Sequence, residues 1–214
     1  MQNKLVDSGL NRKLKIAVTG GIGTGKSVVC RYFESCGYLI INADLIAKNI
    51  MKNDQQVKQK LIDAFGSDIY LGNSINKDYL SKLIFNDKSN LNKINSIVHP
   101  VTIIKINEIA ENELLLKNIV FVESALIFEA KREKYFDYIL LVYSPLEMRI
   151  KRIAQRDNLS PDEILVRINS QLSDDEKKKK AHFIINNDST LEELKNKAKL
   201  FLDIFENLSK ISHK

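Results

Sequence analysis

One stretch, "LKIAVTGGIGTGKSVVCRYFESCG" at 14 to 37, restricts the fold of this chain more than any other. A short apolar run leads into Gly20, Gly21, Gly23 and Gly25. Lys26 and Ser27 follow, and then Val28, Val29, Tyr32 and Phe33 recur at helical spacing up to Gly37. That order predicts a buried strand, a tight turn and a helix that stops at a glycine. Gly20 to Ser27 also fits G-x-x-x-x-G-K-[ST], in the strand-to-helix context the motif requires. Glycines let backbone N–H groups approach phosphate oxygens, Lys26 adds a mobile positive charge, and the Ser27 hydroxyl is a ligand for Mg²⁺.

The rest of the chain continues the alternation. Strands are expected at 38 to 44, 118 to 125, 136 to 144 and 182 to 187, with helical patterns at 101 to 117, 146 to 156, 161 to 172 and 190 to 208. Alternating strands and helices predict a parallel sheet covered on both faces. The interval 45 to 117 is too long for one crossover helix. Its amphipathic pieces "DQQVKQKLIDAFG", "KDYLSKLIF" and "KSNLNKINSIVHP" make it a mostly helical insertion. A smaller, basic helical excursion runs from 146 to 181.

The expected architecture is therefore an α/β fold of the P-loop type: three layers, α/β/α, around a five-stranded parallel sheet, with a helical insertion and a small helical lid. Residues 1–12 read as a polar extension, 13–44, 118–145 and 182–214 as the core, 45–117 as the insertion and 146–181 as the lid. The length of 214 residues suits one domain so elaborated.

Composition mainly excludes. With 44% hydrophobic residues and no apolar run near the ~20 residues of a membrane span, a soluble protein without membrane partners is expected. The first residues lack a signal sequence's apolar stretch, so the expected compartment is the cytoplasm. Cys30 and Cys36 lack the His/Cys partners of a metal set and read as reduced packing residues. The net charge of +6 is spread along a lysine-rich chain, and the densest run, "DDEKKKKA" at 174 to 181, carries its own acids. No aromatic platform for single strands is visible, so no nucleic-acid partner is expected.

Because many enzyme classes use such a loop, other residues must decide among them. A guanine-reading N-K-x-D is missing: "NKIN" at 92 to 95 lacks the aspartate, and "DAFG" at 63 to 66 ends a helical pattern. A kinase needs a carboxylate near the γ-phosphate to take the acceptor's proton, and Asp44, at the carboxyl end of the expected second strand, fits. An N-cap for "LIAKNIM" is its other reading. Arg149, Arg152 and Arg156 share one helical face, with Arg167 on the next segment. They read either as a cationic lid over the transferred phosphoryl or as a solvated basic face.

"VTGGIGTGKS", "INADLIAK", "FG" at 65 to 66, "HP" at 99 to 100, "ALIFE" at 125 to 129, R-x-x-R-x-x-x-R-D ending at Asp157, "RINSQ" at 167 to 171 and "INN" at 185 to 187 together resemble the dephospho-coenzyme A kinase family from about residue 14 to 195. The resemblance implies ATP-dependent phosphorylation of the ribose 3′-hydroxyl of dephospho-coenzyme A. It makes Asp44 the base, the loop residues Gly21, Ile22, Gly23, Thr24, Gly25, Lys26 and Ser27 the ATP site, and 45–117 the acceptor-binding region. Asn187 would lie near the nucleotide. Another small-molecule P-loop kinase, acting on a nucleoside or nucleotide, is the alternative; a monomer or weak homo-oligomer is the expected state.

Several positions depart from the family pattern. Asn42 stands where an aspartate is common, on the same strand face as Asp44 in this reading. An amide cannot take a proton, which leaves Asp44 alone as base. Lys48 replaces an arginine, Ala125 a proline, His182 an aspartate and Thr24 a serine. Glu123 either holds Mg²⁺ through water or pairs with a neighbouring lysine. His99 is read as a helix cap before Pro100 in preference to a substrate contact, and Glu129 is left without a role.

Overall fold

The computed structural model describes residues 11–87, 89–157 and 159–211, so most of the expected extension at 1–12 lies outside the described residues. The chain forms two compact units, Met1–Ile41 with Ala110–Lys214, and Asn42–Ile109.

The elements follow one another as β1 (Leu14–Thr19), α1 (Lys26–Ser35), β2 (Ile40–Asn42), α2 (Ala43–Asn53), α3 (Gln55–Phe65), β3 (Tyr70–Leu71), β4 (Ser74–Ile75), α4 (Lys77–Asn86) and α5 (Ser89–Leu116). After these come β5 (Ile119–Glu123), β6 (Tyr138–Tyr143), α6 (Leu146–Asp157), α7 (Pro161–Asn169), α8 (Asp174–Lys180), β7 (Phe183–Asn186) and α9 (Leu191–Lys210).

Five strands form the expected parallel sheet, in the order β2-β5-β1-β6-β7. Val18 of β1 lies beside Glu123 of β5 on one side and Leu140 of β6 on the other. Period-two alternation sends β1 to both faces. Leu14, Ile16 and Val18 pack with Val29 and Phe33 of α1 and with Leu194, Ala198 and Phe205 of α9. Ala17, on the opposite face, joins Ile127, Phe128 and Ile139. With neighbours on both sides and apolar cover on both faces, β1 delivers the glycine loop at the sheet's carboxyl end, beside β5 and β6. Open α/β sheets bind ligands at that end.

The second unit has its own core of Val57, Leu61, Ile69, Ile94 and Val98. Local caps start its helices: side chains of Asn42, Asp54 and Asn76 accept from the backbone N–H groups of Leu45, Val57 and Tyr79.

Three sequence expectations are corrected, and one element was not foreseen. The second strand ends at Asn42, so Asn42 and Asp44 do not share a strand face, and Asp44 lies in the first turn of α2. Asn42, not Asp44, caps α2: an amide oxygen is as good an acceptor for the Leu45 N–H, 2.8 Å away, as a carboxylate. His99 caps nothing. Pro100 lies inside α5, which runs on through it although the ring removes one donor from the ladder, and Thr102 Oγ1 donates back to the Val98 carbonyl at 2.8 Å. The β3–β4 hairpin was not expected, because two-residue strands leave no periodicity to read.

Candidate functional site

The loop after β1 is built by residues remote in sequence. Gly25 has a φ of 93°, a left-handed value that favours glycine, and a Cβ there would collide with the Asn187 amide. At Gly21 a Cβ would stand 2.5 Å from a guanidinium nitrogen of Arg149. These glycines are therefore required by side chains packed against the loop as well as by any phosphate within it. The Asn187 amide donates to the Thr24 carbonyl at 2.8 Å, and Thr24 Oγ1 donates to the Gly21 carbonyl at 2.9 Å.

At the start of α1, Lys26 Nζ reaches Glu123 Oε1 at 2.5 Å, and Ser27 Oγ donates to the same oxygen at 2.9 Å. Glu123 ends β5 and is nearly buried. Of its two sequence readings, the lysine pair is present, and the partner is the loop lysine itself. Burial first, and then the nearby Glu123 carboxylate, push the Cys30 thiol well above the ordinary range.

The three α6 arginines take different places. Arg152 donates to Ser144 Oγ at 2.8 Å and to Asn187 Oδ1 at 3.2 Å, and Arg156 pairs with Asp157, whose carboxyl it holds below the usual range. Both line a cavity of about 720 Å³ together with the loop, Arg31, Ala125 and Asn187. Arg149 lies behind the loop, 2% exposed, with Nε on the Ile22 carbonyl at 2.8 Å and a terminal nitrogen on Asp174 at 2.9 Å. Its environment is neither a solvated face nor the cavity lining. Arg167 is exposed.

Two features escaped the sequence reading. Glu129, of "ALIFE", accepts from the Leu172 N–H and forms an ion pair with Lys177 Nζ, each at 2.9 Å. Lys177, although it belongs to the lysine run that carries its own acids, is 1% exposed. Gln171, of "RINSQ", accepts from the Ile22 N–H at 3.1 Å. Nothing in the charged run distinguishes Lys177 from its lysine neighbours, and Gln171 is marked only as the end of "RINSQ", with no indication of its partner.

In the second unit Asp44 and Lys48 are exposed and lie four residues apart on α2, hence on one face, while His99 is half-buried in α5.

The loop, cavity and cations suit a nucleotide polyphosphate, and the volume is that of a small-molecule site. Glu123 and Ser27 supply the hard oxygens that Mg²⁺ takes, and among the described residues no group of three or more His, Cys, Asp or Glu converges. No helix among the described residues is long and apolar enough to cross a membrane.

Comparison with known proteins gives a consistent result. A family model described as dephospho-CoA kinase matches residues 14–193. A dephospho-CoA kinase of Bacteroides fragilis is 35% identical over 175 residues, 82% of this chain and 85% of that protein. Among solved structures, TT1252 from Thermus thermophilus superposes with a TM-score of 0.77 at 31% identity, covering 90% of this chain and 98% of its own. A dephospho-CoA kinase from Campylobacter jejuni does so with 0.67 at 29%, covering 92% and 97%.

Proposed function

The chain belongs to the dephospho-CoA kinase family, phosphotransferases that phosphorylate dephospho-CoA with ATP to give CoA, and on that premise we propose how its residues divide the work. The observation that carries the proposal is the cavity on which the glycine loop, Lys26 and two arginines converge. ATP binds there with its β- and γ-phosphates in the loop, received by backbone N–H groups and by Lys26.

Phosphoryl transfer develops charge on the equatorial oxygens. Lys26, Arg152 and Arg156 are the cations proposed to meet it, with Arg149 shaping the loop from behind. Ser27 and Glu123 would hold Mg²⁺, which when bound neutralises phosphate charge. Lys26 and Ser27 already share the Glu123 oxygen, so a modest movement of one carboxylate frees both for the nucleotide.

The acceptor is the ribose 3′-hydroxyl, and Asp44 is the base that takes its proton. Support comes from its chemistry and position: an exposed carboxylate in the first turn of α2, next to Asn42, whose amide cannot do the same and serves instead as the cap. Lys48, on the same helix face, supplies charge toward an anionic acceptor. Residues 146–181 act as the lid and 45–117 as the acceptor-binding region. A monomer or weak homo-oligomer is the proposed working unit. The proposed compartment, the cytoplasm, rests on the family's role in biosynthesis.

An ADP-release assay with dephospho-CoA, run beside a panel of nucleosides and nucleotides, tests the assignment. Turnover is expected with dephospho-CoA. Faster turnover with a nucleoside would favour the other small-molecule-kinase reading.

A further inference from the structure

Building on the reading of the cavity as the ATP site, we infer that Gln171 is a positioning residue that fixes the backbone of Ile22 and so holds the phosphate loop in its receptive shape. Ile22 is the one residue with a side chain between Gly20 and Gly23, and the glycines on either side of it give the loop little intrinsic restraint. Two peptide planes meet at its Cα. The N–H of the first donates to Gln171 Oε1 at 3.1 Å, and the carbonyl of the second accepts from Arg149 Nε at 2.8 Å. Holding both planes fixes φ and ψ together, since a peptide plane is rigid.

Both grips come from the segment 146–181, Arg149 from α6 and Gln171 from just after α7, and both are themselves anchored. Asp174 holds the far end of Arg149. Leu172, next to Gln171, donates its N–H to Glu129 Oε1, the oxygen that also pairs with buried Lys177. Gly21 permits the close approach, because a Cβ there would lie 3.1 Å from Gln171 Oε1 as well as against Arg149. Glu129 and Gln171 thus form a support running from the "ALIFE" segment to the loop. An N–H partner requires an acceptor, so the oxygen end of the Gln171 amide is the one that works. A glutamate at 171 keeps that acceptor and a leucine removes it.

The test compares Gln171→Leu and Gln171→Glu with wild type in the full chain. Three quantities are read: hydrogen exchange of the Ile22 amide without nucleotide, KM and kcat for ATP, and KM for dephospho-CoA. Loss of one such hydrogen bond is expected to make Ile22 exchange about 5- to 10-fold faster and to raise the KM for ATP by a similar factor in Gln171→Leu. Its kcat and its KM for dephospho-CoA should stay within about twofold. Gln171→Glu should retain slow Ile22 exchange. Unchanged exchange with unchanged KM for ATP overturns the inference. So does a lowered kcat at constant KM for ATP with a reduced melting temperature, which would mean a merely structural role. A wild-type chain inactive on dephospho-CoA would instead overturn the functional reading, and Ile22 exchange would then decide the positioning claim alone.

Discussion

The glycine loop and the start of α2 are held in different ways. Around the loop most side-chain supports come from far along the chain: Asn187 on the Thr24 carbonyl, Arg149 and Gln171 on Ile22, Glu123 on Lys26 and Ser27, with Thr24 on the Gly21 carbonyl the local one. In the unit spanning Asn42–Ile109, helices begin on caps three residues away, and the residues with chemistry to offer, Asp44 and Lys48, stand exposed on α2. The difference suits the two proposed tasks. A triphosphate must meet preorganised dipoles, which need a rigid frame, whereas an acceptor hydroxyl needs a base accessible to it.

Substitutions can break or sharpen this contrast. The largest effect is expected from Lys26→Ala: turnover should fall about 100- to 1,000-fold in the ADP-release assay, with the chain still folded. Lys177→Met leaves Glu129 with a largely buried, uncompensated charge and should cost about 3 kcal/mol in denaturant unfolding, placing the long-range support in the loop-bearing unit. Asn42→Ala should cost only about 1 kcal/mol, the ordinary value of a helix cap, with ATP affinity unchanged. The smallest effect concerns thiols. Burial raises the Cys30 pKa, so its reactive thiolate is disfavoured. A thiol reagent at pH 8 should label exposed Cys36 and spare Cys30 until the chain is unfolded.

The same contrast explains what the sequence made legible. β1, the loop and α1 were readable because their signal is contiguous, and the sheet's other strands because buried parallel strands are short apolar runs. Less was readable where geometry depends on one residue. The strand-to-helix boundary at Asn42 turns on which of two neighbouring side chains caps α2, and a proline did not end α5. Arg149, Gln171 and Lys177 each contact partners that spacing alone cannot reveal. Arg149 shares its helical face with Arg152, yet one is buried behind the loop and the other lines the cavity.

The division of labour is tested most directly by measuring ATP affinity and dephospho-CoA turnover together in Asp44→Asn. ATP affinity is predicted to stay within about twofold of wild type while turnover falls about 100-fold or more. Full turnover, or loss of ATP binding along with turnover, would contradict the assignment of the base to α2 and of the nucleotide to the loop.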